Sequence, residues 1–600
     1  MEILHEKLQS LEGKVLVNGK AEGTVLASTV ALSFWGGVNA ENGEIIDHHH
    51  PLSGQSVAGK VLVIPSSRGS CSGSGVILEL LLNGHRPSAL VFEHDELVVT
   101  LGVIVASEVF GKSIPIIQLS SVDFKIISTA AWVRINNSHV ECLITSDFRR
   151  DDGAELKFEA QTAKMDIEME IPPFFKLTSF DRELLDGTHG KAAEAAARIV
   201  IKMAYIQNAT ELIDIKQAHI DGCVYTGPAT LQFAQQFNKW GAKVRIPASM
   251  NSISVDRRRW CAQGIDPALG NPASELADAY VYMGVSPSYT CAPYLLNTAP
   301  TKDDHITWGE SNAAVFANSV LGARTIKCPD YLDICVALTG RAPNAGPHIT
   351  ANRRAQIKIS LPRICNTDDS LFPLLGYVVG DIAANQIPII TGIEDTLITK
   401  DDLKAFSAAF ATTSSSSMFH LAGITPEALG GQELEIQLSV ASCVAITFSE
   451  LQRAWCQLNS GLDTYIDLIS LGNPHFSYDE FANLAHLCNG QKKSDAVSVV
   501  VTCGRDTYAR AYRDGHIPML EDFGVQVITD TCWCMIVEPL IPVHAKTIMT
   551  NSAKYAHYGV GLTGRQIRFG SLAQCIEAAC SGQASHDLPS WLMGVKDQKI

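Results

Sequence analysis

A loop of small and polar residues interrupts an apolar run near the N-terminus. After the apolar residues 61–64 and Pro65, the chain reads Ser-Ser-Arg-Gly-Ser-Cys-Ser-Gly-Ser as far as Ser74, and a helix-like apolar pattern follows. Backbone amides at a helix start bind anions, and Arg68 adds a permanent positive charge beside several hydroxyls. A capped turn is the alternative for the same pattern. The loop lacks a terminal Gly-Lys-Ser/Thr, which excludes a phosphate-binding P-loop.

Polar and sulfur-bearing residues recur along the rest of the chain, several of them directly after apolar, strand-like runs. They comprise Cys291; Glu310, Ser311 and Asn312; Cys532 and Cys534; Asn551, Ser552 and Lys554; and Cys575. In open α/β sheets, ligands bind at the carboxyl ends of the strands. No cysteine pair has the Cys-x-x-Cys spacing of a zinc ribbon, so spacing alone is a weak metal signal. Cysteines from separate loops can still meet as iron–sulfur ligands, and the spacing leaves that open.

The pattern of strand-like and helix-like segments that must position these residues changes along the chain. From about Lys14 to Ile144, short β-type runs alternate with two apolar helical patterns, which is typical of a compact α/β domain. A charge-rich, weakly periodic stretch closed by a Pro pair follows. From Thr178 onward, a capped helix opens a second alternation of helices and strands. We therefore predict a small domain over residues 1–145, a linker over 146–173 and a large catalytic domain over 174–600.

Composition excludes several classes of protein. The formal net charge of −16 argues against a nucleic-acid partner, which needs a clustered basic face. No apolar stretch reaches the roughly 18 residues of a membrane span, and no signal-peptide pattern opens the chain. The 16 cysteines are scattered, which is typical of thiols in a reducing compartment. We expect a cytoplasmic protein with no membrane partner.

Taken in order, the motifs resemble aconitase X, a divergent branch of the aconitase superfamily, in its fused form with a small domain ahead of the large one. They are "HHHPLSGQSVAGKVLVIPSSRGSCSGS", "AHIDGCVYTG", "MNSISVD", "YTCAPY", "GESNAAVFANSVLGAR", "LTGRAPNAGPH", "GITPEA", "DTC", "TNSAKYAHY" and "GSLAQCIEAACSG". Each motif is short, but the ordered set covers nearly the whole chain. The resemblance implies an α/β fold with an aconitase-like large domain of α/β subdomains and an N-terminal swivelling β/α domain.

The resemblance also implies a function. Fused members are similar to hydro-lyases that dehydrate cis-3-hydroxy-L-proline to a pyrroline-2-carboxylate, with an iron–sulfur cluster as Lewis acid. Alternatives are dehydration of mevalonate 5-phosphate or another small hydroxy acid, and a non-catalytic aconitase-like binding protein. The lone Arg68 favours hydroxyproline over a phosphorylated substrate, and the acidic charge and the intact Ser and Cys set count against mere binding. We expect a small hydroxy acid substrate and function as a single chain.

Roles for individual residues follow from the same resemblance. Ser70 aligns with the serine of the aconitase Gly-x-Gly-Ser-Ser loop and is the expected base, with Arg68 holding a substrate carboxylate or supporting the Ser70 alkoxide. The implied cluster ligands are Cys291, Cys532 and Cys575, while Cys503, Cys534 and Cys580 are expected to be bystanders. The expected substrate-binding residues are His219, Asn251, Ser311 and Lys554. A structural hydrogen bond is the alternative role for each of these four, and the family's active site forms where the small-domain loop meets the large domain.

Overall fold

The computed structural model describes residues 7–144, 174–394 and 396–593. Among these residues, those up to 213, 226–242 and 329–344 form one compact unit, and 214–225, 243–328 and those from 345 onward form a second. The predicted linker, 146–173, lies outside the described residues. The first unit combines the predicted small domain with parts of the following chain, so the contacts group the chain differently from the predicted division at residue 174.

Residues 7–144 form an eight-stranded sheet with three helices. The strands are β1 (Lys7–Glu12), β2 (Lys14–Val17), β3 (Lys20–Ala27), β4 (Val61–Val63), β5 (Ala89–Phe92), β6 (Ile116–Gln118), β7 (Trp132–Asn136) and β8 (His139–Ile144). The helices are α1 (Gly73–Asn83), α2 (Val98–Phe110) and α3 (Ser121–Ile127). Strands β3, β4, β5 and β6 are parallel neighbours, and antiparallel strands extend the sheet on both sides. The predicted alternation of strands and helices is confirmed, and α2 ends at Gly111 with φ +65° as its sequence indicates.

Residues 174–351 contain six helices and five short strands. The helices are α4 (Ser179–Leu185), α5 (Lys191–Ile206), α6 (Pro228–Lys239), α7 (Pro267–Tyr282), α8 (Ser311–Phe316) and α9 (Leu332–Thr339). The strands are β9 (Leu212–Asp214), β10 (Ala218–Ile220), β11 (Ala248–Met250), β12 (Thr307–Trp308) and β13 (Arg341–Pro343). Strand β10 pairs in parallel with β11 and β12. Thr178 caps α4 through a reciprocal bond with Asp181, which confirms the predicted helix start.

Residues 353–458 form a four-stranded parallel sheet with four helices. The strands are β14 (Ile357–Ser360), β15 (Pro388–Thr391), β16 (His420–Leu421) and β17 (Cys443–Ala445), and the helices are α10 (Leu371–Ala383), α11 (Lys400–Thr413), α12 (Gly431–Leu438) and α13 (Phe448–Leu458). Helices α10 and α11 pack closely, because Gly376 and Gly380 of α10 lie against the backbone of Phe406 and Phe410, where a Cβ would overlap.

Residues 466–581 form a five-stranded parallel sheet in the order β20-β19-β18-β21-β22. The strands are β18 (Leu468–Phe476), β19 (Ser498–Cys503), β20 (Val525–Thr529), β21 (Thr547–Thr550) and β22 (Gln566–Phe569). The helices are α14 (Tyr478–Cys488), α15 (Arg505–Arg513), α16 (His516–Phe523), α17 (Ala553–Thr563) and α18 (Leu572–Ser581). Every residue of β18 is buried, so this strand is the centre of the sheet's core.

No helix within residues 7–144, 174–394 and 396–593 combines the length and the apolar character needed to cross a membrane.

Candidate functional site

The order in which successive strands join the five-stranded sheet reverses at β18. Strands β19 and β20 extend it on one side and β21 and β22 on the other, so the carboxyl ends of β18 and β21 flank a topological switch point, where ligands of open α/β sheets bind. A small cleft, partly open to solvent, lies there. Its lining includes Asn473, Pro474, Asn551 and Ser552.

The end of β18 leaves the regular ladder at this point. The register between β18 and β19 shifts between Leu471 and Phe476. Gly472 has φ +95°, and a Cβ there would overlap the carbonyl oxygen of Thr502. Only glycine fits that conformation without strain. The shift frees residues 473–475 (Asn473, Pro474 and His475) from strand pairing, and they turn toward two loops that carry cysteines.

Three buried sulfurs meet beside this segment. Cys291 lies in the loop after α7, and Cys532 and Cys534 lie at either side of Trp533 in a tight turn after β20. The thiols of Cys291 and Cys534 both donate hydrogen bonds to the Cys532 sulfur, which lowers the pKa of Cys532 well below its usual value. Burial raises the pKa of Cys291, and the bond to Cys532 adds to it. One sulfur of the group is therefore prepared to carry negative charge.

A buried ion pair accompanies the sulfurs. The Lys554 Nζ, in the first turn of α17, donates to Glu310 Oε1 at 2.9 Å. Burial alone would lower the pKa of Lys554, but the Glu310 carboxylate and the three cysteine sulfurs raise it well above its usual value. Burial likewise acts to raise the pKa of Glu310, and Lys554 overcomes it and lowers that pKa. Both groups are charged inside the protein, beside the sulfurs.

Amide side chains hold the Glu310 carboxylate. Asn312 Nδ2 donates to Glu310 Oε1 at 2.6 Å and to the carbonyl oxygen of Cys291 at 3.2 Å. Asn251 Nδ2 donates to Glu310 Oε2 at 3.3 Å and also to the Asp221 carboxylate. Two buried amides thus connect the ion pair to the Cys291 loop and to the end of β10, which fixes the carboxylate in one orientation.

His219 lies in the middle of β10 and is fully buried. Its Nδ1 is 2.7 Å from Ser249 Oγ, and burial lowers its pKa to about 4, so the imidazole is neutral at pH 7. The Thr290 backbone and the Asn251 side chain lie close to the ring, but Nε2 makes no hydrogen bond of full geometry within the described chain. A buried nitrogen of this kind is available to a bound molecule.

The structure brings together most of the residues that the sequence predicts for substrate binding. His219, Asn251 and Lys554 surround Glu310. Ser311 is buried at the first position of α8, directly after Glu310. The sequence analysis predicts Ser311 as a binding residue from this stretch and does not predict Glu310. Both residue types are common at helix starts, so the sequence does not distinguish them without their partners.

Cys575 has different surroundings from the three sulfurs. It lies in α18, buried in the apolar core of the five-stranded sheet with Ile469 and Ile576, and the carboxyl group near it is Asp369. Cys534, which the sequence analysis set aside, is instead the third member of the sulfur group. The assignment of Cys575 as a ligand stays a prediction from the resemblance.

The Ser-rich loop belongs to the first compact unit and is a turn stabilised by its own atoms. Ser70 Oγ accepts from the Ser72 amide and donates to Ser72 Oγ, each at 3.3 Å. The amides of Gly73, Ser74 and Gly75 bond to carbonyl oxygens within the loop, at 3.4, 3.5 and 3.0 Å. The predicted anion site at the helix start therefore has fewer free amides than its sequence suggests, because the turn uses them.

Arg68 pairs with Asp47 at 3.3 Å, and its Nε is buried without a hydrogen-bond partner in the described chain. The guanidinium therefore keeps donor capacity that its own unit does not use. Ser70 itself is partly exposed. Both predicted catalytic residues are thus open to a further partner.

The donor atoms suit a soft metal centre. Cysteine sulfurs are the ligand type of iron–sulfur clusters, and three of them are buried here. No set of three or more His, Cys, Asp or Glu side chains in the described ranges is arranged around a single ion. The fit of Cys291, Cys532 and Cys534 to a cluster rests on the chemistry of their sulfurs.

Comparisons with known proteins cover almost the whole chain. Family models match at residues 10–143 (aconitase X swivel domain), 174–351 (first domain), 353–456 (second domain) and 466–581 (third domain). A cis-3-hydroxy-L-proline dehydratase from Hypocrea jecorina is 51% identical and covers 97% of each chain, and one from Pseudomonas aeruginosa is 47% identical over 96% of this chain and 98% of its own. The crystal structure of holo-form aconitase X from Thermococcus kodakaraensis is 28% identical and superimposes with a TM-score of 0.61, covering 68% of this chain and all of that one. The chain belongs to the aconitase X family.

Proposed function

We propose that this protein is a hydro-lyase that removes water from cis-3-hydroxy-L-proline and forms a pyrroline-2-carboxylate. The observation that carries the proposal is the meeting of buried thiols with the Glu310–Lys554 pair, in a chain that aligns end to end with two dehydratases of that name. The end-to-end alignment also supports function as a single chain. The cytoplasmic location stays a prediction.

We propose an iron–sulfur cluster as the cofactor. Cys291 and Cys532 are common to the sequence prediction and to the observed sulfur group, and Cys534 is the third sulfur that the contacts favour. When bound, such a cluster supplies a Lewis acid for a substrate hydroxyl, which is otherwise a poor leaving group. Burial of all three sulfurs would keep solvent from the centre.

The reaction breaks the C–H bond at C2 of the ring and the C–O bond at C3. The electron pair of the C–H bond becomes the C2–C3 double bond of an enamine, and the hydroxyl leaves with a proton as water. The enamine then tautomerises to the cyclic imine, as C3 gains a proton and the ring nitrogen loses one. Negative charge develops on C2 and on the adjacent carboxylate as C2 loses its proton. Lys554, held in the charged state by Glu310, supplies positive charge for that change in a buried setting, where it is most effective.

We propose Ser70 as the base that takes the C2 proton and Arg68 as its supporting cation, as the family resemblance implies. A serine hydroxyl is a weak base, so it needs donors that stabilise its alkoxide. The Ser72 amide is one such donor, and the unused Nε of Arg68 is available as a second. His219, Asn251 and Ser311 are proposed to orient the substrate, with His219 acting through its unpartnered Nε2.

An anaerobic substrate screen tests the proposal. Purified protein, reconstituted with iron and sulfide, is incubated with cis-3-, trans-3- and trans-4-hydroxy-L-proline and with mevalonate 5-phosphate. We expect a cyclic imine product and release of the C2 proton to solvent with the cis-3 isomer alone. Dehydration of mevalonate 5-phosphate without reaction of any hydroxyproline would replace the proposed substrate, and inactivity on all four would contradict the reaction class.

A further inference from the structure

Asn473 and His475 bond directly to the sulfur group, although neither is a cysteine. Asn473 Nδ2 donates to Cys534 Sγ at 3.2 Å, and the backbone amide of His475 donates to Cys291 Sγ at 3.3 Å. Two outer sulfurs of the group thus each accept an N–H bond from the same three-residue segment. Donors of this kind stabilise negative charge on sulfur.

The His475 side chain ties the two cysteine loops together. Its Nε2 is 2.8 Å from the carbonyl oxygen of Thr531, and its Nδ1 is 3.1 Å from Thr290 Oγ1. Because a carbonyl oxygen only accepts, Nε2 carries the proton and Nδ1 accepts from the threonine hydroxyl. Thr290 and Thr531 directly precede Cys291 and Cys532, so one imidazole spaces the two cysteines.

Neighbouring elements fix this segment in place. Ser552, the cap of α17, donates its hydroxyl to the carbonyl oxygen of Asn473. The buried Lys404 Nζ of α11 donates to the carbonyl oxygen of His475 at 3.3 Å and pairs with Glu480 of α14. The segment is therefore held from two sides, and its donors reach the sulfurs in a fixed geometry.

We propose that Asn473 and His475 are positioning residues of the sulfur site: Asn473 sets the charge that the sulfurs carry, and His475 sets the spacing of the two cysteine loops. The inference rests on the proposed cofactor for its redox consequence. Hydrogen bonds to cluster sulfurs favour the reduced, more negative state, so they raise the reduction potential.

The first experiment compares reconstituted wild type with Asn473→Asp, Asn473→Ala and the control Asn318→Asp. Asn318 is equally buried but donates to the carbonyl oxygens of Thr325 and Ser417. Iron is measured per chain. The midpoint potential is measured by visible and EPR-monitored redox titration. We expect both Asn473 variants to shift the potential in the negative direction, the aspartate more than the alanine, and the control to stay at the wild-type value.

Two outcomes of this experiment decide the role of Asn473. A wild-type potential in either variant at full iron content would overturn it, since both substitutions remove the amide donor to Cys534 Sγ. Loss of iron from both variants with unchanged circular dichroism, while the control loads fully, supports the role. If one variant fails to fold, the other decides alone.

The second experiment needs no cluster. His475→Leu removes both bonds of the imidazole, and His475→Gln keeps a donor and an acceptor. We expect faster hydrogen exchange in peptides containing Cys291 and Cys532 for the leucine variant, with partial recovery in the glutamine variant. Unchanged exchange in both loops of His475→Leu would overturn the role of His475. If wild type takes up no iron, the cofactor assignment fails, and this experiment still decides the positioning role.

Discussion

Cys532 is the residue on which the sulfur site depends, because the other two thiols donate to it. Cys534 lies two residues after Cys532, and the sequence gives little indication that its sulfur belongs to the same group. A Cys-x-Cys spacing fits no common metal motif, and only the tight turn at Trp533–Met535 places the second sulfur against the first. The Gly-Asn-Pro-His run inside the mostly apolar β18 is the sequence signal for Asn473 and His475.

Serine variants of the cysteines test the ligand set. We expect Cys534→Ser to lose most of its iron and visible absorption after reconstitution, as Cys291→Ser and Cys532→Ser should, because a hydroxyl is a poor ligand for iron in such clusters. Cys575→Ser is expected to retain both, like the control Cys503→Ser, which is also buried. Iron is measured per folded chain, since a buried hydroxyl costs roughly 1–3 kcal/mol of stability. The reverse pattern would restore Cys575 as the ligand.

Ser70→Ala tests the proposed base. We expect the turnover number to fall by about 10²-fold or more, the range of general base catalysis, with iron content unchanged. Ser74→Ala is the matched control, because Ser74 lies in the same turn but bonds to the carbonyl oxygen of Val98. Activity is followed by imine formation and by exchange of the C2 proton. Retained exchange in Ser70→Ala would assign the proton transfer to another group.

At the scale of elements, the strands with continuous apolar runs are the easiest to predict, although the half-exposed β2 and β3 are also predicted. The continuous apolar runs of β4 and β5 stand out between glycines. Strand β7 alternates buried and exposed positions and β8 is only partly buried, so neither shows a continuous apolar run. The sequence also predicted that polar residues collect at the strand ends, but it could not show which loops meet, because that depends on the order β20-β19-β18-β21-β22.

Arg505, the first residue of α15, contacts one residue in each of the two cysteine loops. It makes two bonds of 2.6 Å to Asp530, and its guanidinium lies 4.6 Å from the centre of the Tyr289 ring. Tyr289 and Asp530 each lie two residues before a cysteine and have φ of +45° and +71°. Such backbone conformations are costly for residues other than glycine, so the contacts of Arg505 help to maintain them.

Arg505→Leu should therefore loosen both loops. Leaving the buried Asp530 carboxylate unpaired is expected to cost about 3–5 kcal/mol and to speed hydrogen exchange in peptides around residues 289–291 and 530–534. The double variant with Asp530→Asn should recover part of the stability. Arg510→Leu is the control, because Arg510 lies on the same helix and stacks on Tyr478 instead. Equal exchange in the two single variants would contradict a link between Arg505 and the loops.

At the scale of the molecule, the swivel-domain region shares a compact unit with helices from the following chain. Glu108 of α2 pairs with Lys202 and Arg198 of α5, and Glu79 of α1 accepts a 2.8 Å bond from the Ala229 amide at the start of α6. A division read from composition could not show these contacts, since each charged residue looks like ordinary surface until its partner is known.

Glu108→Gln tests that docking and its dependence on pH. Burial would raise the pKa of Glu108, but Lys202 and Arg198 lower it, so the carboxylate stabilises the folded state above the unfolded pKa of about 4.3. We expect the variant to lose roughly 1–3 kcal/mol of folding free energy at pH 7, measured by thermal unfolding. The difference from wild type should shrink as the pH falls through the lowered folded pKa. Glu22→Gln, in an exposed pair with Arg134, is the control and should change little.

The register shift at the end of β18 has a consequence for how the protein can change over evolution. Side chains of a strand alternate between faces, so sliding β18 by one residue would exchange its two faces throughout. Asn473 and His475 would then turn away from the sulfurs in the same step that disrupted the apolar core. A change of register in the core of this sheet would therefore also disrupt the site. Insertions are expected to be tolerated in the peripheral loops more readily than between Leu468 and Phe476.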